Sequence, residues 1–258
     1  MNPKKKFGQN FITDTNLIIK IVSSAKIDDK NVIEIGPGRG ALTKELAKRA
    51  KSVIAYEIDK DLKLYLDKLV DENHNLEVIY EDFLSVDFSS DDKWELIGNL
   101  PYYITTPILF KFLENNVYDS ATIMVQKEVG DRIISKPNSK KYNALSVIVQ
   151  YLTNVERVVN VSRKLFYPVP NVDSVVIRLE KRKNRELPLE KETKFIEFVK
   201  ACFMQKRKTL VNNLSESYGQ NKERIIALLR DNNFIESIRA EQLSLDDFIS
   251  LFNQILWI

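Results

Sequence analysis

Apolar positions recur at helical spacing through Leu17, Ile18, Ile21 and Val22, just behind Thr13-Asp14-Thr15, whose side chains can cap a first helical turn. The pattern then changes. Val32-Ile33-Glu34-Ile35 is short, β-branched and mostly apolar, and it stops at Gly36-Pro37-Gly38-Arg39-Gly40 before Ala41 to Arg49 resumes with good helix formers. That order predicts a strand, a glycine-rich turn and a helix. The alternation repeats, with strands expected over 52–56, 76–80 and 94–97 and a helix over 62–70. Beyond Pro107, residues 108–113 predict a helix and 121–125 a buried strand. Residues 145–152 form another apolar run, and 155–161 with 174–179 a last strand pair. Strands alternating with helices imply βαβ units and a mostly parallel sheet.

Glu180-Lys181-Arg182-Lys183-Asn184-Arg185 carries no apolar residue and predicts a linker. The expected domains are therefore 1–179, an α/β unit, and 180–258, a small helical one. Phe195, Phe198, Val199, Cys202 and Phe203 form the stripe of an amphipathic helix in the second. Ile225, Ile226 and Leu229 suggest another helix, and Ser244 caps a third with Leu245, Phe248, Ile249 and Phe252 on one face.

Composition removes several kinds of chemistry. A single cysteine, Cys202, and a single histidine, His74, exclude a disulfide framework and a thiolate or imidazole metal cluster, so no metal is expected. No segment approaches the roughly 18 apolar residues of a membrane span, and the Lys4-Lys5-Lys6 opening has no apolar run of signal length behind it. A cytoplasmic protein, away from membranes, is expected, and nothing suggests an obligate oligomer. The 39 Lys and Arg against 36 Asp and Glu leave +3, which argues against nucleic-acid binding by bulk charge. Local basic runs remain at Lys4–Lys6, at Lys181–Lys183, at Lys136, Lys140 and Lys141, and at Lys206, Arg207 and Lys208. The last run is the expected RNA contact.

Gly36, Gly38 and Gly40 concentrate three of the seven glycines in one turn between a strand and a helix, where a backbone can approach a ligand closely. The spacing is neither G-x-G-x-x-G nor a Walker pattern. Glu57 follows the second strand, where an acid can accept hydrogen bonds from ribose hydroxyls, and Asp82 follows the third. Asn99-Leu100-Pro101-Tyr102 follows the fourth, so all four features lie at the strand edge where open α/β sheets bind ligands. An acid for the ribose and another for an adenine amino group describe an S-adenosylmethionine site. An NAD-dependent oxidoreductase is the rival, disfavoured by the glycine spacing.

Asn99-Leu100-Pro101-Tyr102 suits methyl transfer to an exocyclic amine. The N6 lone pair of adenine is delocalised into the ring, so the amine is a poor nucleophile. The Asn99 side-chain oxygen and a backbone carbonyl held by the Leu100-Pro101 link can accept both amino protons and favour a pyramidal nitrogen. Tyr102 offers a stacking face for an extruded base, a contact worth about 1 to 3 kcal/mol, against the few kcal/mol needed to unstack it. No general base is required, because the proton leaves after the methyl group has arrived.

These residues resemble the rRNA adenine dimethyltransferases, most closely the small-subunit, kasugamycin-resistance branch. The resemblance rests on Lys6-Phe7-Gly8-Gln9-Asn10-Phe11-Ile12, Glu34 to Gly40, Asn99 to Ile104, Phe166-Tyr167-Pro168-Val169-Pro170-Asn171-Val172-Asp173-Ser174 and Arg239 to Ser244. It implies a Rossmann-like class I methyltransferase sheet with an N-terminal segment over the cofactor and a small C-terminal helical domain. It also implies S-adenosylmethionine as cofactor, and as substrate two adjacent adenosines in the 3′-terminal hairpin of 16S rRNA, met in the small ribosomal subunit or its precursor. Asn10 and Ile12 would border the cofactor, Gly36 and Gly38 its methionine part, Glu57 the ribose and Asp82 the adenine. Asn99 would hold the target amine and Phe166 would be a second aromatic wall. Tyr103 and Ile12 stand where the family more often has Asn and Leu. The large-subunit, macrolide-resistance branch and an assembly factor that uses the fold mainly for binding are the alternatives.

Overall fold

The computed structural model describes residues 3, 4 and 7–255, so Lys5 and Lys6 of the basic opening lie outside the described residues. Two compact units emerge. The first comprises residues up to Gly130 together with Val155–Lys181, and the second comprises Asp131–Asn154 and everything from Arg182 onward.

The first unit holds β1 (Phe11–Ile12), α1 (Thr15–Ser24), β2 (Asn31–Ile35), α2 (Ala41–Ala47), β3 (Ser52–Tyr56), α3 (Lys63–Glu72) and β4 (Leu76–Ile79). It continues with β5 (Trp94–Asn99), α4 (Thr105–Glu114) and β6 (Tyr118–Gln126). After an excursion into the second unit it ends with β7 (Thr153–Val161), β8 (Phe166–Tyr167) and β9 (Ser174–Lys181). Seven strands form one sheet in the order β4-β3-β2-β5-β6-β9-β7. Those from β4 to β6 are parallel, and β9 runs antiparallel to β6. The chain order reverses between β2 and β5, so the connections leaving these two strands run to opposite sides and open a crevice at their carboxyl ends. The parallel strands are buried on both faces, as the near-continuous apolar runs require: Val32, Ile33, Ile35, Leu96 and Ile97 are all in the core. Asp14 caps α1 by accepting the Leu17 N–H at 2.6 Å.

The second unit is helical. It takes the end of α5 (Lys127–Ile133), then α6 (Ala144–Leu152), α7 (Leu189–Cys202), α8 (Leu210–Tyr218), α9 (Lys222–Asp231) and α10 (Leu245–Gln254). The predicted stripe is its core: Phe195 packs edge-on against Phe252 at 5.4 Å, and Phe198 lies 5.7 Å from the same ring. Ser244 caps α10 with Asp247 in a reciprocal capping box. The division expected at 179/180 assigned residues 131–154 to the sheet unit, yet they belong to the helical one. Tyr151 of α6 lies 4.7 Å from Phe195, an aromatic contact that sequence spacing does not reveal.

The pairing of β1 with β8 was not anticipated, and it corrects one expectation. Phe11 faces Tyr167 and Ile12 faces Phe166 in antiparallel register. Successive side chains on a strand point to opposite faces. Ile12 and Phe166 therefore turn together into the hydrophobic core, where Phe166 is only 3% exposed, while Tyr167 is 56% exposed. Phe166 is thus a core residue rather than a pocket wall. Phe166→Ala is expected to cost about 3 to 5 kcal/mol of stability, and Tyr167→Ala about 0.5 kcal/mol or less, measured by chemical denaturation.

Candidate functional site

The carboxyl ends of β2, β3 and β5 and the segment after β4 surround a cavity of about 340 Å³ in the first unit. That volume is in the range of small-molecule sites. Asn10, Ile12, Gly36, Gly38, Glu57, Asp82 and Asn99 through Tyr102 all line it, so every predicted cofactor residue is brought to one place. Phe166 is not, and Tyr167 occupies the wall instead.

Glu57 organises the cofactor side. It is 5% exposed, and each carboxylate oxygen accepts one backbone N–H, from Gly38 at 3.0 Å and from Asp59 at 2.9 Å. Each oxygen keeps a lone pair, which matches two ribose hydroxyls. Burial pushes this carboxyl up, and the two N–H groups oppose that shift. Asp82 accepts the Leu84 N–H at 2.9 Å through one oxygen, leaving the other for a ligand amino group.

The glycine turn meets the requirement for close approach. Gly36 and Gly38 both have positive φ, 67° and 61°. A Cβ at Gly36 would meet nothing within 4 Å, so the turn leaves open space on the pocket side, whereas one at Gly38 would lie 3.1 Å from the Phe11 ring. Phe11 covers the turn from the N-terminal segment, and the Arg39 guanidinium stacks over it at 4.5 Å. Together with the two open sites on Glu57, that space fits S-adenosylmethionine.

On the opposite side, the Asn99 amide nitrogen donates to the Asn10 carbonyl at 2.9 Å. This bond fixes the carboxamide and leaves its oxygen as an acceptor. The Pro101 carbonyl already accepts the Ile104 N–H at 3.1 Å and the Thr105 hydroxyl at 3.2 Å. That leaves the Leu100 carbonyl as the candidate second acceptor in the Leu100-Pro101 link. Tyr102 is held by a 3.0 Å hydrogen bond between its hydroxyl and that of Ser174.

In the second unit, Lys206, Arg207 and Lys208 lie in the turn between α7 and α8. Lys206 and Arg207 are exposed. The Lys206 ammonium donates to the Lys140 carbonyl at 3.1 Å, bringing two of the predicted basic segments together. Lys208 instead pairs with Glu216 at 2.6 Å, so part of its charge is neutralised. Among the described residues no group of His, Cys, Asp and Glu could hold a metal, and no helix is long and apolar enough to cross a membrane.

Glu34 stands one residue before the end of β2, the strand that leads into the glycine turn. It is 1% exposed beneath the turn, and one of its oxygens has no hydrogen-bond partner among the described residues. Burial pushes its carboxyl up to about 8, against the opposing Thr43 hydroxyl and with a smaller upward contribution from the nearby Glu57 charge. A carboxyl raised on folding stabilises while protonated, and that contribution is lost as pH rises through the folded value. The thermal midpoint should accordingly fall from about pH 5 to about pH 8 and level off above that, and fall less in Glu34→Gln. Parallel pH profiles for the two proteins would exclude this assignment.

A profile of the family described as ribosomal RNA adenine dimethylase matches residues 1–255. The chain is 52% identical over 257 residues to ribosomal RNA small subunit methyltransferase A of Aster yellows witches'-broom phytoplasma (strain AYWB), covering 96% of this chain and 94% of that one. It is 44% identical over 253 residues to the protein of the same name from Mycoplasmopsis pulmonis (strain UAB CTIP), covering 98% of each. Among solved structures, a dimethyladenosine transferase from Plasmodium falciparum superposes with a TM-score of 0.81 at 28% identity, covering 93% of this chain and 95% of that one. The 23S rRNA methyltransferase ErmE gives 0.78 at 30% identity, covering 95% and 98%. A parallel sheet with its switch point at the glycine turn, an acid after each neighbouring strand and an anchored Asn-Leu-Pro-Tyr segment agree with that match over nearly the whole sequence, and the chain belongs to the ribosomal RNA adenine dimethylase family.

Proposed function

We propose that the protein dimethylates two adjacent adenosines in the 3′-terminal hairpin of 16S rRNA, using S-adenosylmethionine, during assembly of the small ribosomal subunit in the cytoplasm. Curated relatives at 44 to 52% identity named as small-subunit enzymes support the choice of RNA over the large-subunit alternative. The observation that carries the chemistry is the Asn99 carboxamide, pinned by the Asn10 carbonyl with its oxygen left to accept.

S-adenosylmethionine, when bound, supplies a methyl group on a cationic sulfur. Glu57 would hold its ribose through the carboxylate lone pairs left by Gly38 and Asp59, Asp82 would take the adenine amino group, and the space at Gly36 would admit the methionine end. An extruded target base enters beside Asn99. The Asn99 oxygen and the Leu100 carbonyl would each accept a hydrogen bond from one N6–H, drawing the nitrogen out of conjugation and orienting its lone pair for attack. Tyr102 stacks on one face of the base, its ring fixed by Ser174, and the exposed Tyr167 ring is the second wall. After the first transfer one N–H remains, and a single acceptor suffices to hold it for the second. Neither step needs a histidine, since the methylated amine is acidic enough to release its proton to water.

Asn99→Ala should reduce methyl transfer by at least about two orders of magnitude, the scale of losing one oriented hydrogen-bonding group at a reacting atom, while calorimetric affinity for S-adenosylmethionine changes little. Labelled methyl transfer to undermodified small subunits, followed by mapping of the modified nucleotides, reads both activity and substrate. Near-normal turnover by the variant would remove Asn99 from its role, and label elsewhere would remove the proposed substrate.

RNA contact is assigned to the basic turn of the second unit. Charge reversal at Lys206 and Arg207 should weaken binding of the small subunit and flatten its salt dependence, with cofactor affinity unchanged. Charge reversal at Lys208 should do less, because Glu216 already shares its charge. Sedimentation with the particle at two salt concentrations distinguishes these outcomes, and equal binding by all variants would exclude the turn.

A further inference from the structure

The N-terminal segment that lines one side of the pocket is fastened at a residue to which no role has yet been given. Asp59 lies in the turn after β3, two residues beyond Glu57, and is 2% exposed. One of its oxygens receives the Lys4 ammonium at 2.6 Å and the other the Gln9 side-chain amide at 2.7 Å. Lys4 also reaches Asp61 at 2.5 Å, and its backbone N–H donates to the Gln9 side chain at 2.8 Å. The Asp59 N–H donates in turn to Glu57. Lys4, Gln9 and Asp59 thus close a ring that joins the segment to the carboxylate expected to hold the ribose.

We propose that Asp59 is a positioning residue for cofactor binding, a latch holding Lys4 and, through Gln9, the pocket-lining residues from Phe7 onward beside the S-adenosylmethionine site while its N–H fixes Glu57. Three features favour this over a purely structural ion pair. Each Asp59 oxygen accepts from the N-terminal segment, one of them sharing with the Asp61 N–H, and Phe7 through Ile12 of that segment line the pocket. Without Lys4 and Gln9 the buried carboxylate would keep only the Asp61 N–H at 3.2 Å, with no cation against it, so breaking the two contacts is costly. Burial alone would raise the Asp59 carboxyl, yet Lys4 and Gln9 reverse that and hold it below the ordinary range.

The latch acts on one end of the segment only. Phe11 and Ile12 are held separately by pairing with β8, so the Asn10 carbonyl keeps its hold on Asn99 when the latch is broken. Cofactor affinity should therefore suffer more than turnover. The proposal rests on the reading of the pocket as an S-adenosylmethionine site, and the measurements keep the two apart.

The test compares the full-length protein with Lys4→Met, Lys4→Arg, Asp59→Asn and the double variant, by calorimetric titration with S-adenosylmethionine and by methyl-transfer kinetics on undermodified small subunits. Lys4→Met and Asp59→Asn should each weaken cofactor binding by about fivefold or more, and raise KM for the cofactor alike, as loss of a half-buried ion pair implies. Turnover at saturating cofactor should stay within about twofold, and the double variant should be no worse than the weaker single one, because both remove the same interaction. Lys4→Arg should restore affinity, which a nonspecific disturbance would not do. Lys4 is half-exposed, so its variants keep the test open even if Asp59→Asn fails to fold. Wild-type affinity in Lys4→Met, or losses that add in the double variant, would overturn the latch. Failure of the wild-type protein to bind S-adenosylmethionine would overturn the reading of the pocket instead.

Discussion

The hydrogen bond from the Gly38 N–H to Glu57 is the contact on which the rest of the pocket depends. Strands β2 and β3 run parallel in register, with Ile35 beside Tyr56, so their connections leave the sheet at the same edge. Nothing in strand pairing fixes what those connections do next. A carboxylate from one that accepts an N–H from the other couples them, and each limits the freedom of its partner. The turn can hold positive φ at Gly36 and Gly38 because Glu57 takes up a donor it exposes. Glu57 remains buried because the turn and Asp59 supply donors to a charge that water no longer reaches. The N-terminal segment is joined to the same unit through Asp59. One buried acid therefore ties the glycine turn, the proposed ribose site and the pocket-lining N-terminal segment into a single arrangement.

The sheet could be read from the sequence because its signals are local. β-branched runs ending in a turn mark β2, β3 and β5, and all four chemical features predicted for the strand ends meet at one cavity. The helical stripe of α7 likewise follows from its own spacing. What sequence could not provide depends on partners far along the chain. β1 and β8 are two residues each and pair across more than 150 positions, so neither shows a period. Without that pairing, the inward member of Phe166-Tyr167 cannot be identified, and the aromatic nearer the expected motif position is the wrong one for the pocket. The path of residues 131–154 into the helical unit is hidden for the same reason: a contact such as Tyr151 with Phe195 leaves no mark at either position. Asp59 reads as an ordinary loop acid until its burial is known.

Orientation rather than acid-base strength is what the target side of the pocket supplies. An asparagine neither gains nor loses a proton near neutrality, so its value lies in which end of the carboxamide faces the ligand. The Asn10 carbonyl settles that by engaging the nitrogen. The same main-chain group belongs to the segment that lines the cofactor side. The elements that define the two ligands are therefore adjacent in the chain as well as in space. A methyl transfer needs its donor and acceptor in line, and a short rigid link between their two binding groups lowers the entropic cost of aligning them.

The small net charge of +3 fits this division of labour. Many cations are already spent within the fold: Lys4 on Asp59, Lys30 on Glu95, Arg49 on Asp28 and Arg185 on Glu192. On the proposed reading, affinity for RNA comes from local clusters of exposed cations, such as Lys206 and Arg207, and not from net charge. A weak and local field of this kind falls off within about a Debye length, roughly 8 Å at physiological salt, so it cannot gather RNA indiscriminately. It favours a substrate whose phosphates are presented in a fixed arrangement. On the proposed reading, selection of the adenosine falls to carbonyl-type acceptors beside aromatic rings. Guanine carries an oxygen at the ring position where adenine carries N6, and uracil has no exocyclic amine. Hydrogen-bond geometry of this kind is not screened by salt, while charge brings the folded particle within reach.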